Sequence, residues 1–196
     1  FGSGAGAEMP GYDLLVQAMG GLMSVTGPAP GEPTKVGVAL VDVITGMHAT
    51  IGLLAALNHR NLTGEGQQIE VNLLSSLLSA MVNQASSYVS GGVIPGILGN
   101  AHPSISPYEV YKTSDRPIVV AVGNDGQFAK LCQELGIPEI AVDPKFATNP
   151  DRVANRGELN ALLVRQFLTN GADHWWALLS GAGVPCGPIN SISEAF

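Results

Sequence analysis

VGVALVDVITGMHATIGLLAALNHRNLTGEGQQIEVNLLSSLL, residues 36–78, decides how this chain is read. Asp42 stands just before an apolar run that continues to about His59, which predicts a long apolar helix. Asn-Leu-Thr-Gly-Glu-Gly, residues 61–66, is turn chemistry that ends it. Gly46, Ala49, Gly52 and Ala56 recur at three- and four-residue spacing and give that helix a narrow face, open to close approach by another backbone. Gln68–Asn72 predicts a short strand and Leu73 to about Tyr88 a buried helix. On spacing alone, an Asp in the position of Asp42 is an ordinary N-cap, accepting hydrogen bonds from the free N–H groups of the first turn.

Working outward, residues 1–10 form a glycine-rich loop. GSGAG resembles part of a dinucleotide fingerprint, but no strand precedes it and no full GxGxxG follows. From Tyr12 to about Ser24 the apolar positions Leu14, Leu15, Ala18, Met19 and Leu22 recur at helical spacing. Residues 27–33, with three prolines, are a loop. The stretch 91–107 is the best boundary, separating 1–90 from 108–196, which reads as a small α+β domain. In the latter, Tyr108–Tyr111 and Ile118–Val122 predict paired strands. Helices are predicted near Gln127–Leu135, Arg152–Leu168 and Asp173–Gly181.

Composition excludes several functions. Charged residues make up 13% of the 196, about half the roughly 25% usual in soluble domains, so extensive burial against further protein is expected. A net charge of −7 with nine scattered basic residues argues against nucleic acid, whose phosphates need clustered Lys and Arg. Cys132 and Cys186 form no CxxC pattern and read as reduced core thiols. No HExxH motif or zinc-like spacing of His59 and His174 is present, so no metal is expected. Ser75, Ser76 and Ser79 lack a GxSxG elbow, which argues against a serine hydrolase. Trp175 and Trp176, at a helix start, read as core or interface anchors. Without a signal-peptide pattern or an unbroken membrane-length apolar run, the expectation is a cytoplasmic protein with no membrane partner.

Three stretches resemble the class III CoA-transferase family, of the CaiB/BaiF and formyl-CoA transferase type. They are GYDLLVQAMGGLMSVTG (11–27), the quoted 36–78 segment, and LGNAHPSISPYEVYKTSD (98–115). The tail, from GNDGQFAKLCQELG to AGVPCGPINSISEAF, also fits that family's small domain. The resemblance implies an α/β fold: part of a Rossmann-like large domain plus a small α+β domain, in interlocked homodimers. Members are considerably longer, and an amino-terminal Rossmann-like half supplies most CoA contacts. This chain is therefore expected to be a middle-to-late piece that lacks that half.

By resemblance, Asp42 is the covalent carboxylate, the substrates are an acyl-CoA thioester and a free carboxylic acid, and no cofactor is bound. Gly99, Asn100, Ala101 and His102 occupy the place of the family's glycine-rich lid, although LGNAHP is an inexact match to a run of glycines. Tyr12 and His48 are candidate pocket residues, His48 lying about one and a half turns beyond Asp42. Acyl-CoA racemases share the fold and carry a His where this chain has Tyr12. With a reference pKa of about 10, Tyr is a poor proton shuttle near neutrality, which favours transfer over racemisation. A non-catalytic piece that cannot hold CoA alone is the rival from another class.

Overall fold

Helices and loops alone build residues 1–99, whereas residues 100–196 fold as helices around a small antiparallel sheet. The structure is a computed structural model describing all residues from Phe1 to Phe196. Its two units, Phe1–Gly99 and Asn100–Phe196, part inside the glycine- and proline-rich stretch.

In the first unit, α1 spans Asp13–Met19 and a 3-10 turn follows at Leu22–Ser24. The expected helix to Ser24 breaks at Gly20 and Gly21. A Cβ at Gly20 would lie 2.5 Å from Leu77 Cδ2 and 2.7 Å from the Val16 carbonyl oxygen, so the close approach there requires glycine. Helix α2 is longer than expected, Leu40–Thr63, and ends where Gly64 adopts φ 81° and donates its N–H to Arg60 O. Asp42 thus lies inside the first turn, with Ala39 as the N-cap. Residues 68–72, expected as a strand, pair with none, and the unit contains no sheet. The helix expected over 73–88 is two: α3, Leu73–Ala80, and α4, Val82–Gly91. The ladder tightens to a Met81 N–H bond to Leu78 O, and Val82 begins a fresh axis at φ 35°.

The core of this unit is small. Val16 of α1, Val41 of α2 and Leu77 of α3 are buried together, with Phe1, Leu22, Leu73, Leu74 and Met81 packed around them. Much of α2 stays uncovered: Met47, Ile51 and Leu54 are each about 60% exposed. By length and composition alone α2 is long and apolar enough to cross a membrane, although the expectation of no unbroken apolar run of that length stands. Asp42, His48 and Arg60 had interrupted the run in the sequence.

The second unit has β1 (Tyr108–Tyr111), β2 (Ile118–Ala121) and β3 (Cys186–Pro188) in the order β1-β2-β3, all antiparallel. Helices α5 (Asp125–Glu134), α6 (Asn149–Ala154), α7 (Arg156–Phe167), α8 (Ala172–Gly181) and α9 (Ile192–Ala195) complete it. The single helix expected over 152–168 divides at Asn155, whose φ of −105° and ψ of 24° leave the helical region. Its core joins Tyr111, Ile118, Phe128, Leu163, Phe167 and Leu179 with further apolar side chains from sheet and helices. Arg152 is fully buried there. It donates to Ser106 O, Phe146 O and Asp125 Oδ1, and its guanidinium lies 4.4 Å from the Phe128 ring centre. Burial of a charge requires such complete satisfaction. Trp175 is a core anchor whose indole N–H donates to Phe167 O, while Trp176 is half exposed.

Candidate active site

A helix begins with N–H groups that have no partner within it, and Ala39 has no side-chain oxygen to offer those of α2. Asp13, 28 residues earlier, takes the role. Its Oδ1 accepts from the Val41 N–H at 2.7 Å and, more weakly, from the Asp42 N–H at 3.4 Å. Leu40 N–H turns to Val38 O and Val43 N–H to Ala39 O, so the first turn is satisfied throughout.

Asp13 is itself held. One turn along α1, at the i+4 spacing that brings helical side chains together, Gln17 donates Nε2 to Asp13 Oδ2 at 2.6 Å. Gln17 Oε1 accepts from Val36 N–H at 2.9 Å. A carboxylate only accepts and a backbone N–H only donates, so a single orientation of the amide serves both neighbours. Gln17 is completely buried. The pair Asp13 and Gln17 therefore fixes both Val36 and the head of α2.

With those donors occupied, the carboxylate of Asp42 is not drawn back onto its own helix and is exposed. It still lies in the first turn, where the helix dipole favours negative charge. One turn on, Gly46 leaves bare backbone beside it, and nothing stands within 4 Å of where a Cβ would be. Val43, Gly46, Met47, Thr50 and Ile51 form a wide-open, mainly apolar surface along α2. This is an exposed carboxylate in the first turn of a helix whose following turns present an apolar surface.

The other expected residues are placed differently. Tyr12 is the N-cap of α1, is 71% exposed, and lies next to Asp13 in the chain. His48 sits about 240° round α2 from Asp42, at 3.6 residues per turn. Its Nδ1 is 3.1 Å from Oγ of buried Ser76, a link between α2 and α3. Gly99 closes the first unit at φ 61°, and a Cβ on it would be 3.0 Å from Pro28 O. Asn100, Ala101 and His102 open the second unit. There His102 N–H donates to Tyr108 O, its ring accepts from Ser104 N–H, and its carbonyl accepts from Arg156. No three His, Cys, Asp or Glu side chains gather as a metal site. The thiol of Cys132 is buried and pushed up to about 12 by desolvation, and Cys186 is raised for the same reason.

Sequence reasoning did not single out Asp13 or Gln17. The signal available was the i, i+4 pairing of an acid and an amide within GYDLLVQ; their partners at 36 and 41 belong to the fold.

Comparison with known proteins agrees on one lineage. The profile of CoA-transferase family III matches residues 1–196. The chain is 46% identical to succinate–glutarate CoA-transferase of Agrobacterium fabrum, over 99% of its own length and 48% of that protein. It is 41% identical to succinyl-CoA:glutarate CoA-transferase of Mus musculus, over 99% of this chain and 44% of the mouse protein. A crystal structure of a CAIB/BAIF family protein from Brucella suis superposes with a TM-score of 0.84 at 45% identity, covering 99% of this chain and 51% of that one. The chain thus spans about half the length of the curated relatives it matches. Since the match runs from the first residue to the last, the chain belongs to CoA-transferase family III.

Proposed function

We propose that the protein carrying this chain moves CoA between an acyl-CoA and a free carboxylic acid, with Asp42 as the covalent relay. The observation that carries this reading is the exposed carboxylate of Asp42 in the first turn of α2, one turn before bare Gly46. An Asp oxygen attacks the thioester carbonyl carbon and expels CoA thiolate, leaving a mixed anhydride on Asp42. The thiolate attacks the aspartyl carbonyl and releases the donor acid, giving an aspartyl-CoA thioester. The acceptor carboxylate then displaces the thiolate from that carbonyl. The thiolate finally attacks the acceptor acyl carbon, which forms the new acyl-CoA and returns Asp42 to its starting state. Each step exchanges one nucleophile for one leaving group, with no net proton, electron or water required.

The relatives named for succinate and glutarate support short dicarboxylic acids as the substrate class. The family resemblance supports a homodimer that works in the cytoplasm. In this reading residues 99–102 keep water from the activated intermediates, as a closing segment does.

The test is an intact-mass measurement on the purified protein, before and after succinyl-CoA and a panel of other acyl-CoA donors, with hydroxylamine as a trap. A CoA-sized adduct or a hydroxamate at position 42, missing from Asp42→Asn, is expected. Equal labelling of that variant would remove Asp42 from the reaction. Deuterium uptake at the substrate α-carbon, without exchange of CoA, would point to racemisation instead.

A further inference from the structure

We infer that Asp13 and Gln17 are a positioning pair that keeps the Asp42 carboxylate free to attack. The inference rests on the assignment of Asp42 as nucleophile, but the bonds that carry it lie elsewhere in the unit. A carboxylate in the first turn of a helix competes for the N–H groups of that turn. If Asp42 bonded them, its oxygens would be held against its own helix, away from an incoming thioester. Asp13 fills those donors from another helix, at 2.7 Å and 3.4 Å, and leaves the carboxylate of Asp42 exposed.

Gln17 gives this cap its precision. An exposed side chain could swing between several acceptors, whereas Asp13 is pinned by a buried amide whose other end reads Val36 N–H. Val36 and Val41 bracket the short loop into α2, so one buried side chain and its partner fix both ends of that loop. The pair also stands beside the cluster of Val16, Val41 and Leu77, which is fully or almost fully buried. Loss of the cap would therefore shift a nucleophile rather than unfold a core. Displacement of a reacting group by about 1 Å can cost on the order of 100-fold in rate.

The chemistry of the pair permits a test by exchange. In Asp13→Asn, Oδ1 can still accept from Val41 N–H, but the new amide presents N–H to Gln17 Nε2, a clash of two donors. In Asp13→Asn combined with Gln17→Glu, the asparagine N–H donates to the new carboxylate, whose other oxygen accepts from Val36 N–H. The hydrogen-bond pattern is restored with the two functional groups exchanged.

The experiment compares Asp13→Asn, Asp13→Ala and the double exchange in the purified protein. It uses rapid-quench formation of the Asp42 adduct, steady-state kcat and KM, and amide hydrogen exchange at Val41 and Asp42. Expected are a fall of about 10- to 100-fold in adduct formation and kcat for both single variants. KM should change by no more than about threefold, because uniform binding is untouched. Amide protection at Val41 and Asp42 should fall at least about tenfold in Asp13→Ala, and the double exchange should recover most of the lost rate. Unchanged protection in Asp13→Ala would overturn the tether. Failure of the double exchange to recover rate, with protection restored, would overturn positioning through hydrogen bonds. An active Asp42→Asn control would instead remove the nucleophile, and the inference with it, even if the tether were intact.

Discussion

Gly46 is a poor residue for a helix, and in the proposed reaction its bare backbone leaves room near Asp42. Glycine inside a helix costs roughly 1 kcal/mol relative to alanine, and an added Cβ at this position meets nothing within 4 Å. Gly46→Ala should therefore stabilise the protein by about 0.5–1 kcal/mol in urea unfolding. Larger residues, such as Leu, would crowd the bare backbone one turn beyond Asp42. They should lower kcat/KM for succinyl-CoA by about 10-fold or more, read in a coupled transfer assay. Arg152 is the opposite case, a charge whose removal leaves the carbonyls of Ser106 and Phe146 without donors. Arg152→Ala should cost about 2–5 kcal/mol in thermal or chemical unfolding, through the two unpaired carbonyls. Asp42 was singled out in the sequence because a family pattern surrounds it, and its assignment as nucleophile stays a proposal. Arg152 was not, since nothing in NPDRVA distinguishes a buried arginine from a solvated one.

Two of the helices that begin on residues without a side-chain cap are completed by an aspartate from elsewhere. Asp13 serves α2 behind Ala39, and Asp115 accepts from Ala172 N–H at the start of α8, behind Gly171. Backbone N–H bonding from Ala172, then the Thr113 hydroxyl and Arg116 N–H, lower the Asp115 carboxyl to about 2. A lowered folded-state value means that the ionised form stabilises the fold above the ordinary carboxylate range and ceases to do so as pH falls toward 2. Denaturation midpoints from pH 5 to pH 2 should thus fall more steeply in the native protein than in Asp115→Asn. Gly171→Ala would bring a Cβ to 2.5 Å from Asp115 Oδ2 and should reproduce the loss. Such long-range caps explain why element starts were the least legible feature. The run after Asp42, the hairpin of β1 and β2, and helices α5 and α8 followed from periodicity. By contrast β3 is only Cys-Gly-Pro, and the breaks at Val82 and Asn155 carry no glycine or proline to mark them.

The two units are of nearly equal length but unequal core. Sixteen buried apolar residues join in the second, whereas three do so in the first. Burial on that scale is what stabilises a small domain. Residues 100–196 expressed alone should unfold cooperatively by circular dichroism. Residues 1–99 alone should show a broad transition and bind a hydrophobic dye, because Met47, Ile51 and Leu54 remain uncovered. The thin core of the first unit also makes its few long-range bonds matter more, and one has a consequence for chain entropy. The bond from Asp13 to Val41 encloses a long detour that includes the proline-rich loop, yet Thr34 N–H already joins Thr26 O at 2.8 Å across the base of that loop. The detour is thereby short-circuited, and its length is decoupled from the ends that matter. Closure entropy grows only logarithmically with length, by about 0.6 kcal/mol per doubling. Residues inserted between Pro28 and Gly31 should be felt locally and hardly at all at Asp42, so this loop can vary in size without moving the head of α2.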